Sequence, residues 1–195
     1  METNKSKFVG YMLFAVFLVP LLIAIAMYAM RGDSSQIKTV AHGELVHPAQ
    51  PIEVLTVKVN SDESYDLSNL QGKWTYILYL DDACNLQCEA ALFKIRQTRL
   101  ATGREATRVQ SFMVMGSSRA EIVDEVILQR NPKIIFGQLE ELTITDDVAS
   151  KENLQPNLIY LIDPNGNLMM KYDDMATSKG MLKDIKKLLK LSNIG

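Results

Sequence analysis

The chain has 195 residues, a formal net charge of −2, two cysteines and two histidines. So weak a field does not attract nucleic acid, and none is expected as a partner. Two cysteines suffice for one bridge or one site and exclude a multi-bridge scaffold. Without its apolar start the chain holds one ordinary domain of about 140 residues.

Residues 1–7 form a short polar tail. Phe8 to Met30 is a run of 23 residues without a charge. A bilayer core is crossed by about 20 apolar helical residues, so this run is read as a single transmembrane helix, with Pro20 tolerated inside it. A cleaved signal peptide, with Ala24-Ile25-Ala26 as its small-x-small site, is the alternative. The run is long for that, and an uncleaved anchor is favoured. Lys5 and Lys7 precede the span and Arg31 follows it. The positive-inside rule then leans toward a cytoplasmic N-terminus and a domain outside the cytoplasm. Residues 31–51 read as a polar linker carrying both histidines, His42 and His47, as plain solvated side chains.

The domain is expected over 52–195. Ile52 to Val59 alternates enough to be an added strand, and Asp66 to Gly72 is a turn-rich lead-in. Trp74 to Leu80 is an apolar strand ending in Asp81-Asp82, followed at once by Cys84 and Cys88. Cys88, Ala91, Leu92 and Ile95 fall on one helix face by the i, i+3, i+4, i+7 spacing, and Gly103 stops that helix. Arg108 to Met115 is the next strand. A helix from Arg119 to Arg130, capped by Ser117 or Ser118, carries an apolar face of Ile122, Val123, Val126 and Ile127. Lys133 to Glu152 gives no clear pattern. Leu158 to Ile162 and Leu168 to Tyr172 pair as a hairpin across the turn Asp163-Pro164-Asn165-Gly166. A last helix from about Ser178 to Ser192 packs Met181, Leu182, Ile185, Leu188 and Leu189. Strand, helix, strand, helix, hairpin, helix is the order of an α/β thioredoxin-like domain. By analogy with that fold, Pro156, just before the hairpin, is a cis proline facing the dithiol, where a substrate would lie.

The chemistry rests on Cys84 and Cys88. Residues four apart on a helix bring their Cβ atoms within roughly 5–6 Å, so the pair can close a disulfide or hold one soft metal ion between two thiolates. A helix N-terminus lowers a thiol's pKa, while Asp81 and Asp82 oppose the thiolate. Isolated cysteines are more often buried small hydrophobes. Two together at a strand's C-terminal end, in a chain with no others, favour a functional dithiol. Cys84, nearer the loop, is the expected nucleophile, and Cys88 the resolving thiol. A non-catalytic anchored scaffold with a structural dithiol is the competing reading, and whether the chain is an enzyme stays open at this point.

Leu70-Gln71-Gly72-Lys73-Trp74, the following strand, the Cys84-x-x-x-Cys88 pair and Tyr160-Leu161-Ile162-Asp163-Pro164-Asn165-Gly166 resemble the SCO/SenC family. Those proteins are membrane-anchored, thioredoxin-like copper chaperones of cytochrome c oxidase assembly. The chain is also similar to a bacterial subgroup encoded near cytochrome oxidase genes, through Ile95-Arg96-Gln97-Thr98-Arg99 and the ending GNLMMKY…KGMLKDIKKLLK. The resemblance implies a bacterial inner-membrane protein with its C-terminal domain in the periplasm. It also implies Cu(I) as the metal, and a cytochrome c oxidase subunit or a copper chaperone as partner. The departures are the family's prolines at the dithiol, replaced here by Asn85, Leu86 and Gln87, and its distal copper-binding histidine. Where that histidine would stand, this chain reads Asn153-Leu154-Gln155-Pro156-Asn157. Two-coordinate Cu(I) at Cys84 and Cys88 is what remains of the family site.

Overall fold

The computed structural model describes residues 3–30, 41–60, 62–116, 124–144 and 154–192. The chain divides into two units, Met1–Thr39 and Val40–Gly195.

The first unit carries one helix, α1 (Thr3–Met30), with Pro20 inside it. Every side chain described along it, Met12 to Ala26, is exposed. Among the described residues no helix is long and apolar enough to cross a membrane.

The second unit begins earlier than the sequence suggests. Strand β1 runs from Glu44 to Lys58, so the linker assigned to residues 31–51 ends inside an ordered strand. Isolated alternation is visible only from Ile52 onward. The Glu44–Pro51 half is held by pairing to a strand distant in sequence, which no local pattern reports. The remaining elements are β2 (Ser64–Asp66), α2 (Leu67–Leu70), β3 (Trp74–Leu80) and α3 (Leu86–Ala101). After a 3-10 turn come β4 (Val109–Met115), α4 (Glu125–Arg130), β5 (Ile135–Ile144), β6 (Ile159–Ile162), β7 (Asn167–Tyr172) and α5 (Ser178–Leu191). Strand β5 occupies the segment left unassigned between Lys133 and Glu152. The Ser117 or Ser118 cap and residues 119–123 of the expected helix lie outside the described residues. The helix seen there starts after Asp124, whose carboxylate accepts from the Val126 N–H at 2.9 Å. Val126, expected on the apolar face, is exposed, and Ile127 is the buried residue of this short helix.

The strands form one sheet in the order β2-β1-β5-β4-β3-β6-β7, and β1 also pairs with β7. β3 and β4 are parallel, while β6 lies antiparallel to β3 and β7 antiparallel to β6. The C-terminal half of β1 pairs with β5, and Glu44, Leu45, Gln50 and Pro51 of its N-terminal half pair with β7. One long strand therefore joins both edges of the central sheet, leaving few ladder groups open.

Two cores follow from strand alternation. Tyr76, Leu78 and Leu80 of β3 face Ala91, Leu92 and Ile95 of α3 and Met181, Ile185 and Leu189 of α5. Ile77 and Tyr79 face the opposite way, into a second core with Leu55 and Val57 of β1 and Leu139 and Leu142 of β5. The predicted stripe of α5 is thus the packed one, and Lys183, Lys186, Lys187 and Lys190 are exposed. The hairpin turn is held by Asp163, which accepts from the N–H groups of Asn165 at 2.9 Å and Asn167 at 2.8 Å. Gly166 there takes φ +88°, a conformation that suits glycine.

Neither histidine stands in a free linker. The His42 and Gly43 N–H groups donate to the buried Asp184 carboxylate of α5, at 2.9 and 3.2 Å. The His42 ring nitrogen Nδ1 lies 3.1 Å from the same group. Tyr172 adds its hydroxyl at 3.4 Å. One aspartate thereby fixes the entry to β1. His47 sits within β1, ahead of Pro48, and the bond between them is the cis peptide among the described residues.

Candidate functional site

β3 delivers the chain to the site. Its seven residues are all buried, and it ends at exposed Asp81 and Asp82. The Tyr79 hydroxyl bonds to Asp81, and burial first, with that bond second, raises the tyrosine's pKa above its ordinary value. Helix α3 then starts at Leu86, because Asn85 caps it: the Asn85 side chain accepts from the Cys88 N–H at 3.0 Å. Asn85 thus positions the dithiol, a role that the spacing of the two cysteines does not reveal. Its signal was an N-cap residue type directly before a helical period.

Cys84 and Cys88 are joined as a disulfide, with Cα atoms 5.2 Å apart. The two sulfurs differ in surroundings. Cys88 is fully buried in the core under α3, whereas Cys84 is half-buried and precedes the cap. Cys84 is therefore the more accessible of the two sulfurs. This asymmetry is what a nucleophile and a resolving thiol require.

Beside the dithiol lies a cleft of about 360 Å³. Leu86, Gln87 and Lys94 of α3 line one side, with Gln155 and Pro156 on another and Asp173 beyond β7. The Pro156 loop is tied to the end of β3, since the Asn157 N–H donates to the Tyr79 carbonyl at 2.9 Å. Asn157 takes φ +63° to make that turn. The Gln155 N–H donates to the Tyr160 hydroxyl at 2.9 Å. Pro156 is exposed on this cleft, but its peptide bond is not cis, unlike the fold-level expectation. Here the positive φ at Asn157 provides the turn. Leu86, 84 % exposed, and Met175, 81 % exposed, add uncovered apolar surface at this end of the molecule and in the loop after β7.

The donor set for a metal is small. Among the described residues no group of three or more His, Cys, Asp or Glu side chains can hold an ion. His42 is engaged with Asp184, and position 155 is glutamine. Two sulfurs remain, and thiolates suit Cu(I).

Several SCO proteins of known structure share this fold. The apo Sco1 protein of Thermus thermophilus superposes with a TM-score of 0.57 at 14% identity, over 76% of this chain and 96% of that one. Copper-bound ScoI of Arabidopsis thaliana gives 0.53 at 13%, over 71% and 98%. BsSco, described as a member of the Sco family of cytochrome c oxidase assembly proteins with a disulfide switch, gives 0.51 at 14%, over 74% and 96%. At such identities the shared property is the thioredoxin-like fold. No curated protein matches the sequence. Residues 74–192, which contain the dithiol, the cleft and every strand from β3 onward, match the family model described as transmembrane-like, thioredoxin-like, C-terminal domain, and the chain belongs to that family.

Proposed function

We propose that this chain is a membrane-anchored thiol–disulfide exchange factor acting in cytochrome c oxidase assembly through Cys84 and Cys88. The observation that carries the reading is the asymmetric dithiol, one sulfur accessible and one buried, at the N-terminus of α3 beside an open cleft. In the reduced form the Cys84 thiolate attacks a partner disulfide, forming a mixed disulfide and releasing one partner thiolate. Cys88, deprotonated, then attacks Cys84 Sγ. That step releases the second partner thiolate and closes the Cys84–Cys88 bridge. The partner is reduced by two electrons and the dithiol oxidised by two. Pro156 and Leu86 border the place where the partner's chain would lie.

The anchor is α1. Its exposed apolar side chains from Met12 to Ala26 need a cover, and the uncharged run from Phe8 to Met30 has the length of a bilayer core. With the N-terminus in the cytoplasm the domain faces the periplasm of a bacterial inner membrane. Protease protection of a C-terminal tag in spheroplasts tests this, and a tag cleaved only after lysis refutes it.

Titration of the full chain against glutathione is the test of the chemistry. A dithiol that cycles, and a Cys88→Ser variant that traps a mixed disulfide on Cys84, are expected. A pair that never cycles ends the reading. Oxidase activity unaffected by replacing both cysteines would leave a scaffold with a structural staple.

Cu(I) carriage by the same sulfurs is the second reading, favoured by the fold shared with copper-bound ScoI. Copper would then be cargo on two thiolates. Anaerobic titration against a competing chelator should show one equivalent, lost in Cys88→Ser. Absence of binding at nanomolar free copper excludes it.

A further inference from the structure

A second cleft, of about 410 Å³, opens between α3 and the segment joining α4 to β5. Its apolar wall is Ile95, Leu100, Pro132 and Ile134, and its cations are Arg96, Arg99, Arg130 and Lys133. Among the described residues no acidic side chain lines it. The cations are differently engaged. Arg96 donates to the Arg130 carbonyl and to Asn131 Oδ1 at 3.4 Å, and Arg99 donates through Nε to the Val109 carbonyl at 2.9 Å. Arg130 reaches Glu89 at 3.8 Å. The Arg99 guanidinium is thus held in place by one nitrogen, leaving its fork free for a bidentate acceptor.

An independent observation comes from Ser111 of β4. Its position in the strand alternation puts it on the α3 side, with Val109 and Met113. It is fully buried, it lines this cleft, and its Oγ has no hydrogen-bond partner. A buried hydroxyl left unsatisfied is uncommon and costly. The residue itself borders a space large enough for a small molecule.

We propose that this cleft binds a small anionic amphiphile, a monocarboxylate with an aliphatic body. The hydrocarbon would lie on Ile95, Leu100 and Ile134. The carboxylate would be held by Arg99 with Lys133 and Arg130 at the rim, and the Ser111 hydroxyl would donate to it or to a polar group beside it. Neither charge alone nor grease alone accounts for the lining. The site is separate from the dithiol and does not depend on its chemistry.

The test uses the full chain in nanodiscs, with empty nanodiscs as the partition control. Octanoate is the probe, and acetate and octanol are the charge-only and tail-only arms, followed by isothermal titration. Saturable octanoate binding is expected, with acetate and octanol at least tenfold weaker. Arg99→Gln should weaken octanoate at least tenfold without changing octanol, and Ser111→Ala several-fold. Should Arg99→Gln not fold, the exposed Lys133→Gln together with Arg130→Gln carries the same test. Octanol binding as tightly as octanoate, or octanoate indifferent to the cation variants, or no saturable binding, overturns the proposal.

Discussion

Reducing the Cys84–Cys88 bridge is the perturbation that the site geometry constrains most. The bridge spans a sequence separation of 4, so it closes a loop of about five residues. On the chain-entropy account that removes about 7 cal/mol/K from the unfolded ensemble, or about 2 kcal/mol at 25 °C. Reduction has a compensating gain, since a Cys84 thiolate would sit by the N-terminus of α3, worth about 0.3–1 kcal/mol. Asp81 and Asp82, both exposed nearby, diminish it. Loop entropy wins. The oxidised chain should be more stable than the reduced by about 1–2 kcal/mol, which for a domain of this size is about 2–8 °C in Tm. Urea unfolding of both forms at pH 7 measures this, with iodoacetamide alkylation of the reduced form as a second readout. Cys84 should be alkylated first, because Cys88 is fully buried. Equal stabilities within about 0.5 kcal/mol, or alkylation of Cys88 ahead of Cys84, would refute the reasoning.

Three other outcomes are expected. Asn85→Ala removes the cap on α3 and should cost about 1 kcal/mol in urea unfolding, while bringing forward alkylation of Cys88 in the reduced chain. Asp184→Ala strips the acceptor from the N–H groups of His42 and Gly43 and from the Tyr172 hydroxyl. A loss of about 3 kcal/mol is expected, with amide exchange rising first along Glu44–Pro51. Burial raises the pKa of Tyr76 and of Tyr172 above the ordinary 10.0, with the Asp184 charge adding at Tyr76, and Tyr76 and then Asp184 adding at Tyr172. Because these folded-state values are raised, their contribution is complete below about pH 10 and is lost as pH climbs above it. Tyr76→Phe should flatten that alkaline loss. It should also leave neutral-pH stability unchanged or higher by about 1 kcal/mol, because the Tyr76 hydroxyl is buried without a partner; a clear loss at neutral pH would contradict this.

How legible the molecule was in its sequence depends on the range of the interactions. The central pieces were readable because their signals are local. The period through Cys88, Ala91, Leu92 and Ile95 marks a face that is buried. Gly103 adopts φ +65° just past the helix it was expected to stop. Asp163 to Gly166 turns a hairpin between strands found within a residue of their expected bounds. What was missed is held by distant partners. Glu44 to Pro51 becomes strand only because β7 offers it a ladder. Ile135 to Ile144 becomes strand between β4 and β1. His42 is fixed by an aspartate 142 residues away. The trans bond at Pro156 departs from the fold-level analogy that made it a cis proline facing the dithiol, and the residue after it, Asn157, takes φ +63°.

The two cysteines belong to different environments, and that division ties redox state to packing. Cys88 is part of the core that joins β3, α3 and α5, so any reaction that opens the bridge leaves its sulfur among apolar neighbours. The Cys88 backbone N–H donates to the Asn85 side chain, so its place on α3 is fixed by the cap as well as by the bridge. In the proposed exchange a mixed disulfide on Cys84 would face a resolving thiol that is buried in the core but already close by, the two Cα atoms lying 5.2 Å apart in the bridged form. Its lifetime would then be set by access to the buried Cys88 sulfur rather than by how far the chain must move. A thiol held in this way favours a partner that stays bound in the adjoining cleft until resolution, over one that collides and leaves.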